Sequence, residues 1–320
     1  MPLLEIKNLK LDFIAGDRNL RAVDDVSITI NAGETVCLVG ESGCGKSVTA
    51  LSIARLVPRP PANYVGGEIL LNGRDVLKMT KSELQAIRGG MVSYIFQDPS
   101  ASLNPVFRVG SQIKESLKLH RPEKATDAEV IRLLKLVGIP APESRIKDYP
   151  HQMSGGMQQR VMIAMALASE PKLLVADEPT TALDVTIQAQ ILDLLLDLKK
   201  RLGMSILLIT HNLGIVGDMA DRVAVMYAGQ VVELAPALEL LRRPLHPYTK
   251  ALMNSVPKLS GNMQRLQAIP GNVPSLGNFP SGCRFYPRCP SAQPECAKTM
   301  PQLVEVEPKR WVRCLYAKPL

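Results

Sequence analysis

Apolar positions along the chain follow two patterns, and each pattern predicts a different kind of strand. Partial alternation of apolar and polar residues, with turn residues between the segments, marks LLEIKNLKLDF, AVDDVSITI and GEILLNGRD. Alternation is typical of strands with one buried face, so these segments predict an antiparallel β edge. Short continuous apolar runs follow at TVCLV (35–39), KLLVA (172–176), SILLIT (205–210) and VAVMY (223–227). Runs of this kind predict strands buried on both faces.

Helical periodicity separates the apolar runs, and VTIQAQILDLLLDLKKRL (185–202) shows it most clearly. Alternation of strands and helices predicts an α/β fold built on a parallel sheet. Residues 98–170 are mostly helical in pattern and interrupt the alternation. We therefore expect an inserted helical subdomain there.

Composition changes near residue 236, which predicts a domain boundary. The net charge is +8, and residues 236–320 hold 12 Lys/Arg against 4 Asp/Glu, while residues 1–235 hold 26 of each sign. The same segment holds 13 of the 25 prolines. We predict a main domain over 1–235 and a C-terminal extension over 236–320. A solvated, loop-rich tail is the preferred interpretation of the charge, ahead of a docking surface for anionic lipid or an acidic partner.

The sequence predicts neither an export signal at the N-terminus nor a membrane-spanning helix. The N-terminus MPLLEIKNLKLDF lacks a basic start followed by an apolar stretch. No apolar run approaches the length of about 18 residues that a spanning helix needs. The expected compartment is the cytosol, where disulfides are unusual.

A phosphate-binding motif lies between the first apolar run and a helical stretch. GESGCGKS (40–47) follows TVCLV directly and has the pattern G-x-x-x-x-G-K-S in the strand–loop–helix setting that the motif requires. Glycines let backbone N–H groups face phosphate oxygens, and the helix N-terminus adds a positive dipole end. Lys46 is the predicted ligand of the β- and γ-phosphates, and Ser47 of Mg²⁺.

Two carboxylates end the second apolar run and predict the catalytic half of the same site. Asp177 closes KLLVAD, and its position at the end of a buried strand suits a Mg²⁺ ligand. Glu178 follows and could polarise an attacking water as a general base. Alone, an apolar run ending in Asp-Glu often marks only a strand end, but together with GESGCGKS it is a strong indication of the second half of the phosphate site.

A second anion site is predicted at MSGGMQQ (153–159). Ser154, Gly155 and Gly156 open a helical stretch, so a capping hydroxyl and free N–H groups meet the dipole end of a helix. One domain needs one cradle for the γ-phosphate. A second cradle predicts a nucleotide held by another subunit.

These segments together resemble the ATP-binding-cassette (ABC) ATPases over roughly residues 3–235. By this resemblance Gly40, Glu41, Ser42, Gly43, Cys44, Gly45, Lys46 and Ser47 form the Walker A loop, and Asp177 and Glu178 are Walker B and the catalytic base. Gln97 in YIFQDP resembles the Q-loop glutamine, which senses Mg²⁺ and faces the membrane subunit. Asp184 in TALD resembles the D-loop residue, His211 in LLITHN the switch histidine, and Phe13 the aromatic that stacks on adenine.

The signature motif departs from the family's usual L-S-G-G-Q, since M-S-G-G-M ends in Met157. The backbone N–H groups and Ser154 remain, and these carry most of the phosphate recognition. With QQRVMIAMAL and DEPTTALDVTIQAQI, the variant is similar to the oligopeptide/dipeptide/nickel importer branch. The resemblance implies two ATP molecules sandwiched between two ATPase subunits, the partner being a paralogue or a second copy. It also implies two membrane permeases, an extracytoplasmic solute-binding protein and a peripheral place on the cytoplasmic face of the membrane.

The extension holds four cysteines, Cys283, Cys289, Cys296 and Cys314, spaced C-x5-C-x6-C-x17-C. The expected compartment disfavours disulfides. Zinc sites usually show C-x2-4-C pairs, which are absent here, whereas spacing varies more for a [4Fe–4S] cluster. Zinc, a cluster and unligated thiols all stay open on spacing alone. HPYTKAL, IPGNVPSL and GCRFYPRCP resemble the C-terminal extension of the peptide-importer ATPases, and that resemblance implies the cluster.

Two function classes fit an ABC ATPase chain of this kind. One is the energising subunit of an importer for peptides or similar small solutes, which we favour. The other is a soluble ABC ATPase acting in DNA repair or on the ribosome, but such chains usually carry two cassettes or a long insertion. Interleaved aromatic residues for nucleic-acid stacking are lacking in the basic tail, so no nucleic-acid partner is expected. An exporter is a third option, but exporter cassettes are usually fused to membrane segments, and this sequence has no apolar run of that length.

Overall fold

The protein is described by a computed structural model over residues 1–181, 183–255 and 269–317. Thirteen residues of the predicted extension (256–268), its last three (318–320) and Ala182 of the predicted D-loop lie outside the described residues. The strands are β1 (Leu4–Ala15), β2 (Arg18–Ile30), β3 (Thr35–Val39), β4 (Ala62–Leu71), β5 (Arg74–Asp75), β6 (Val92–Ile95), β7 (Leu173–Asp177), β8 (Ser205–Thr210), β9 (Arg222–Tyr227), β10 (Gln230–Pro236), β11 (Val304–Glu307) and β12 (Arg310–Val312). The α-helices are α1 (Lys46–Ser52), α2 (Lys81–Ile87), α3 (Pro99–Ser102), α4 (Val109–His120), α5 (Asp127–Leu136), α6 (Pro142–Arg145), α7 (Gly155–Leu167), α8 (Val185–Leu202), α9 (Val216–Met219), α10 (Ala237–Arg242) and α11 (Pro247–Asn254).

Two compact units divide the chain. Unit 1 comprises Met1–Asn31, Thr35–Lys78 and Ile209–Leu320, and unit 2 comprises Ala32–Glu34 and Met79–Leu208. Each unit has its own buried apolar residues. The predicted boundary at residue 236 is not one of these divisions and stays a prediction.

An antiparallel sheet with the order β2-β1-β4-β5 forms one layer of unit 1. The partial alternation in the sequence predicts this sheet, and alternate residues of β1, including Leu4, Ile6, Leu9 and Leu11, are buried. The second layer is mixed and has the order β11-β12-β10-β9-β3, with β3 and β9 parallel and the other pairs antiparallel. Continuous burial of β3 and β9 agrees with their continuous apolar runs.

Helices dominate unit 2, as the pattern over 98–170 predicts. Buried residues Ile113, Leu117, Val130 and Leu133 line one face each of α4 and α5, and both helices contact α7. Three neighbouring strands have the order β8-β7-β6, and β6 is a four-residue strand that the sequence analysis did not identify. Among the described residues, no helix is both long enough and apolar enough to cross a bilayer.

The extension departs from the expectation of a solvated tail. Arg284, Arg310 and Arg313 are buried, and the side chain of Arg288 is 5% exposed. Arg284 pairs with Asp24 at 2.5 Å and Arg313 pairs with Asp25 at 3.0 Å, so both tie the extension to β2. Sequence alone predicts an exposed charge excess, because it cannot show that carboxylates more than 250 residues away pair with these guanidinium groups.

Candidate nucleotide-binding site

The phosphate loop of unit 1 follows β3 and ends in α1, as its motif predicts. Gly40 and Gly45 have φ angles of 155° and 103°. A Cβ on Gly40 would lie 2.2 Å from the Met226 carbonyl oxygen, and one on Gly45 would lie 2.9 Å from the Ala22 carbonyl oxygen. The glycines are therefore required both by backbone conformation and by close packing against other segments.

Lys46 lies inside the curl of this loop. Its ammonium donates hydrogen bonds to the carbonyl oxygens of Gly40 at 2.7 Å and Glu41 at 2.9 Å. The side chain is buried, and the bonds fix its charge within the loop. Such an arrangement provides backbone N–H groups and one cation for a polyphosphate.

Cys44 shares the loop but is not a reactive group. It is 1% exposed, and burial raises the pKa of its thiol to about 11. Cys37 in β3 is also buried, and burial raises its thiol pKa to about 12. Both thiols therefore stay protonated near neutral pH and pack as small apolar side chains.

In unit 2 the structure brings together two of the predicted catalytic residues. Gln97, just after β6, donates from Nε2 to Glu178 Oε2 at 3.1 Å. Thr181 donates from Oγ1 to the same carboxylate oxygen at 2.9 Å. Asp177 closes β7, and Glu178 follows it with a left-handed φ of 47°. A left-handed φ at a residue with a long side chain is a strained conformation of the kind that is found at functional sites.

The predicted signature and D-loop segments also meet in unit 2. Ser154 caps α7 by accepting a hydrogen bond from Met157 N–H at 3.4 Å, and Asp184 caps α8 by accepting from Ile187 N–H at 3.0 Å. A Cβ on Gly156 would lie 2.9 Å from Ile187 Cγ2. Gly156 therefore has a packing role beside the predicted phosphate role, since the start of α7 passes close to the start of α8.

Three further residues, Phe13, His211 and Ser47, have predicted roles at the nucleotide site that stay predictions. Phe13 is half-buried on β1, opposite Leu20 and Ala62 in the sheet. His211 follows β8, is exposed and belongs to unit 1, whereas Glu178 belongs to unit 2. Ser47, the predicted Mg²⁺ ligand, is the second residue of α1 and is exposed.

Sequence reasoning missed three residues that hold predicted site residues in place. Thr181 binds Glu178, while Arg288 and Tyr248 bind Glu41. Thr181 is three residues from its partner and could have been found as a local hydrogen-bonding position. Arg288 is 247 residues from Glu41, and its place in CRFYPRC gives no indication of its partner.

The four cysteines of the extension surround one cavity of about 150 Å³. The cavity is also lined by Phe285 and His246. Burial raises the thiol pKa of Cys283 and Cys289, and the neighbouring sulfurs of Cys314 and Cys296 raise it further. Across the described residues, no group of three or more His, Cys, Asp or Glu side chains stands in a geometry that could hold a metal ion.

Aromatic rings and a buried acid contact residues that line this cavity. Tyr227 lies 4.6 Å from Tyr248 and 5.2 Å from Phe285 between ring centroids. Glu233 has no exposed surface; it accepts from the N–H groups of Leu245 and His246 at 2.9 Å each, and burial raises its pKa. His246 is fully buried, and burial lowers its pKa to about 3, so its imidazole is neutral.

Comparison with known proteins matches two segments of the chain to protein families. Residues 23–181 match the family described as ABC transporter, and residues 232–296 match the oligopeptide/dipeptide transporter C-terminal region. The chain is 50% identical to the probable peptide ABC transporter ATP-binding protein y4tR of Sinorhizobium fredii, over 98% of this chain and 94% of that protein. It is 51% identical to the oligopeptide transport ATP-binding protein AppD of Bacillus subtilis, over 98% of this chain and 96% of that protein.

Solved structures agree with the fold. A dimeric post-hydrolysis state of the ATP-binding cassette MJ0796, bound to ADP and Pi, matches with a TM-score of 0.64 and 27% identity, covering 73% of this chain and 98% of that chain. The structure of cbiO1 from Clostridium perfringens, part of the ABC transporter complex cbiONQ, matches with a TM-score of 0.65 and 27% identity, covering 76% and 91%.

Proposed function

Because this chain belongs to the family of ABC transporter ATP-binding proteins, we propose that it hydrolyses ATP to drive import of peptides or similar small solutes. Two observations carry the proposal: in unit 1, a phosphate loop folds around Lys46, and in unit 2, Gln97 contacts Glu178 at the end of β7. The C-terminal match to oligopeptide/dipeptide transporters supports the solute class.

The chemistry is phosphoryl transfer to water, so the protein supplies position and charge. Lys46 and the loop N–H groups bind the β- and γ-phosphates, and Ser47, Gln97 and Asp177 hold Mg²⁺. Glu178 removes a proton from the attacking water as its oxygen bonds to the γ-phosphorus and the bond to ADP breaks. His211 contacts the γ-phosphate and orients Glu178, while Phe13 stacks on adenine.

Ser154, Gly155, Gly156 and Asp184 act on a nucleotide of a second ATPase subunit. Their packing at the starts of α7 and α8 supports this role, because it presents the free N–H groups of one helix end beside the residue that caps the next. The second subunit is a paralogue or another copy. Closure around two ATP molecules would drive two membrane permeases, with the chain bound peripherally at the cytoplasmic face of the membrane.

The cysteine-bearing extension would carry its own stabilising group. Because the four thiols line one cavity of about 150 Å³, they would be the thiolate ligands of a [4Fe–4S] cluster. A single zinc ion would need all four sulfurs about 2.3 Å from one point, and it is the lesser candidate. Such a group would pin the extension rather than transfer electrons.

Replacement of Cys289 by Ser tests the cluster. Anaerobically purified wild type should contain iron and acid-labile sulfide, and the variant should lose both and melt at a lower temperature. Cys37→Ser is the matched control, since it removes a buried thiol outside the cavity. An unchanged iron content and melting temperature in the Cys289 variant would remove the proposal.

Affinity copurification of the tagged chain from its native cells in mild detergent tests the importer function. Two multi-spanning permeases and a second ATPase are the expected companions. Ribosomal or DNA-repair proteins, without any membrane protein, would instead favour the soluble ATPase class.

A further inference from the structure

The phosphate loop is joined to the cysteine-bearing extension by a bidentate ion pair. Arg288 donates from Nη1 to Glu41 Oε1 at 3.0 Å and from Nη2 to Glu41 Oε2 at 3.1 Å. The arginine side chain is 5% exposed and that of the glutamate is 28% exposed. Bidentate, charge-assisted hydrogen bonds fix the orientation of both partners, so this contact restrains Glu41 in direction as well as in position.

A second residue of the extension binds the backbone of Glu41. The phenol oxygen of Tyr248, in α11, accepts a hydrogen bond from the Glu41 N–H at 3.0 Å. Tyr248 is fully buried, and its ring packs against Tyr227 and Phe285. Its hydroxyl is therefore held by a rigid aromatic cluster, and an unmet N–H at this point would be costly.

Glu41 in turn holds the lysine of the loop. Its carbonyl oxygen accepts a hydrogen bond from Lys46 Nζ at 2.9 Å. The carboxylate, the N–H and the carbonyl of Glu41 are thus each bonded to a different residue, and two of these three partners come from the extension. Any shift of Glu41 would alter both the loop backbone and the position of the Lys46 ammonium.

The arginine is itself carried by the turn between two of the cysteines. Tyr286–Arg288 forms a single 3-10 turn that ends at Cys289. Arg288 donates from Nε to the Pro270 carbonyl at 2.8 Å and from Nη1 to the Tyr227 hydroxyl at 3.4 Å. The guanidinium position therefore depends on the folded state of the segment that bears Cys283 and Cys289.

We propose that Arg288 and Tyr248 are positioning residues of the nucleotide site, through which the cysteine-bearing extension sets the affinity of the phosphate loop for ATP. The inference rests on the phosphate-loop role proposed above for residues 40–47. The extension orders the loop before nucleotide arrives, so that less conformational entropy is lost on binding. Arg288 also balances the negative charge of Glu41, which would otherwise repel phosphate groups bound by the same loop.

The test compares MgATP affinity among variants of the purified full chain, by displacement of trinitrophenyl-ATP, and measures KM and kcat of ATP hydrolysis. Arg288→Gln and Tyr248→Phe should each weaken MgATP binding by about tenfold and raise KM, with kcat at saturating ATP within about twofold of wild type. Arg288→Lys keeps the charge but loses the two-point contact, so its MgATP affinity should lie between that of Arg288→Gln and that of wild type.

A matched control is Arg313→Gln. Arg313 is also a buried arginine of the extension, and it pairs at 3.0 Å with Asp25, a residue of β2 that does not belong to the phosphate loop. This variant should lower the melting temperature and leave the MgATP affinity within about twofold of wild type. Equal losses of affinity in both arginine variants would reduce Arg288 to a general stabiliser and overturn the proposal.

A double-variant cycle separates a direct contact from a distant effect. Glu41→Gln with Arg288→Gln should bind MgATP no more weakly than Arg288→Gln alone, because the pair is already broken. If the double variant lost MgATP affinity by the product of the two single-variant losses, the proposal would be contradicted. If Arg288→Gln does not fold, Tyr248→Phe, which removes one oxygen and keeps the packed ring, gives the same decision.

Lys46→Ala distinguishes failure of this inference from failure of the proposed function. Wild type and Lys46→Ala binding MgATP equally would mean that residues 40–47 do not form the phosphate site. Loss of binding in Lys46→Ala, together with unchanged affinity in Arg288→Gln and Tyr248→Phe, would reject only the role of the extension.

Discussion

Gln97 and Glu178, 81 residues apart, are joined by a 3.1 Å hydrogen bond from the amide nitrogen to carboxylate oxygen Oε2. Thr181 donates to the same oxygen at 2.9 Å, so this carboxylate oxygen accepts hydrogen bonds from two neutral donors. These donors hold the group in one orientation. The loop after β6 and the end of β7 are thus linked through the side chain of the proposed catalytic base.

Glu178→Gln should abolish turnover while leaving ATP bound. The amide cannot accept the proton of the attacking water, and loss of a general base lowers rates by about 100-fold or more. Phosphate release and retention of radiolabelled ATP on the purified chain measure the two effects. Near-wild-type hydrolysis would remove Glu178 as the base, and Thr181→Ala, which keeps the carboxylate, should retain most of the activity.

Gly45→Ala should disrupt the phosphate loop, whereas Gly43→Ala should be tolerated better. Both residues have positive φ angles, 103° and 77°, so both variants carry a backbone penalty of roughly 1–2 kcal/mol. A Cβ at residue 45 would also lie 2.9 Å from the Ala22 backbone oxygen, while nothing lies within 4 Å of one at residue 43. Thermal unfolding and MgATP affinity of the two variants check the difference, and equal losses would show that packing against Ala22 does not matter.

Cys37 and Cys44 should resist alkylation in the folded chain. Burial raises their thiol pKa values to about 12 and about 11, so the reactive thiolate is scarce and shielded near neutral pH. Mass spectrometry of tryptic peptides after iodoacetamide treatment should find both unmodified in native protein and modified after unfolding in urea. Rapid labelling of Cys44 in the native chain, with protection by ATP, would show instead that the loop opens.

The stability of the extension should fall as the pH is lowered, and His246 should account for part of the loss. Its folded pKa is lowered from 6.5 to about 3, so below 6.5 the unfolded chain binds a proton that the folded chain does not. Stability from this group is therefore present above 6.5 and is lost towards 3, by up to about 1.4 kcal/mol per pH unit. Thermal unfolding of wild type and His246→Asn at about pH 7.5 and about pH 5 measures the effect.

In that comparison, Asn can still accept the Tyr248 N–H that His246 Nδ1 accepts at 3.0 Å, but it does not titrate. The variant should lose less stability than wild type over the interval. Identical pH dependence in the two proteins would mean that the buried imidazole does not resist protonation.

Local patterns of sequence predict much of this fold, because burial on one or both faces leaves a period in the chain. Residues 185–202 form α8 with the predicted bounds, and the run 205–210 forms β8. β6 was missed because four residues, VSYI, carry too little pattern to distinguish a strand from a loop. For the site, Lys46 and Glu178 are predictable from motifs whose spacing is local.

Contacts between distant segments lie beyond such reasoning. The pairs Arg284–Asp24 and Arg288–Glu41 depend on which strands lie under the extension, and the sequence records only that both signs of charge are present. Sequence alone therefore predicts a tail that faces solvent, whereas Arg284, Arg288 and Arg313 pair with Asp24, Glu41 and Asp25.

The last hairpin has a consequence for shortened versions of the chain. β12 pairs with β10, and Arg310 lies 3.8 Å from Glu233, which has no exposed surface. A fragment ending at residue 236 would uncover the N–H and C=O groups of β10 that pair with β12, and it would lose the Leu245 and His246 N–H groups that bind the Glu233 carboxylate. Such a fragment would recruit strands from other copies and precipitate, so attempts to study the cassette without its extension would report on aggregation rather than on ATP hydrolysis.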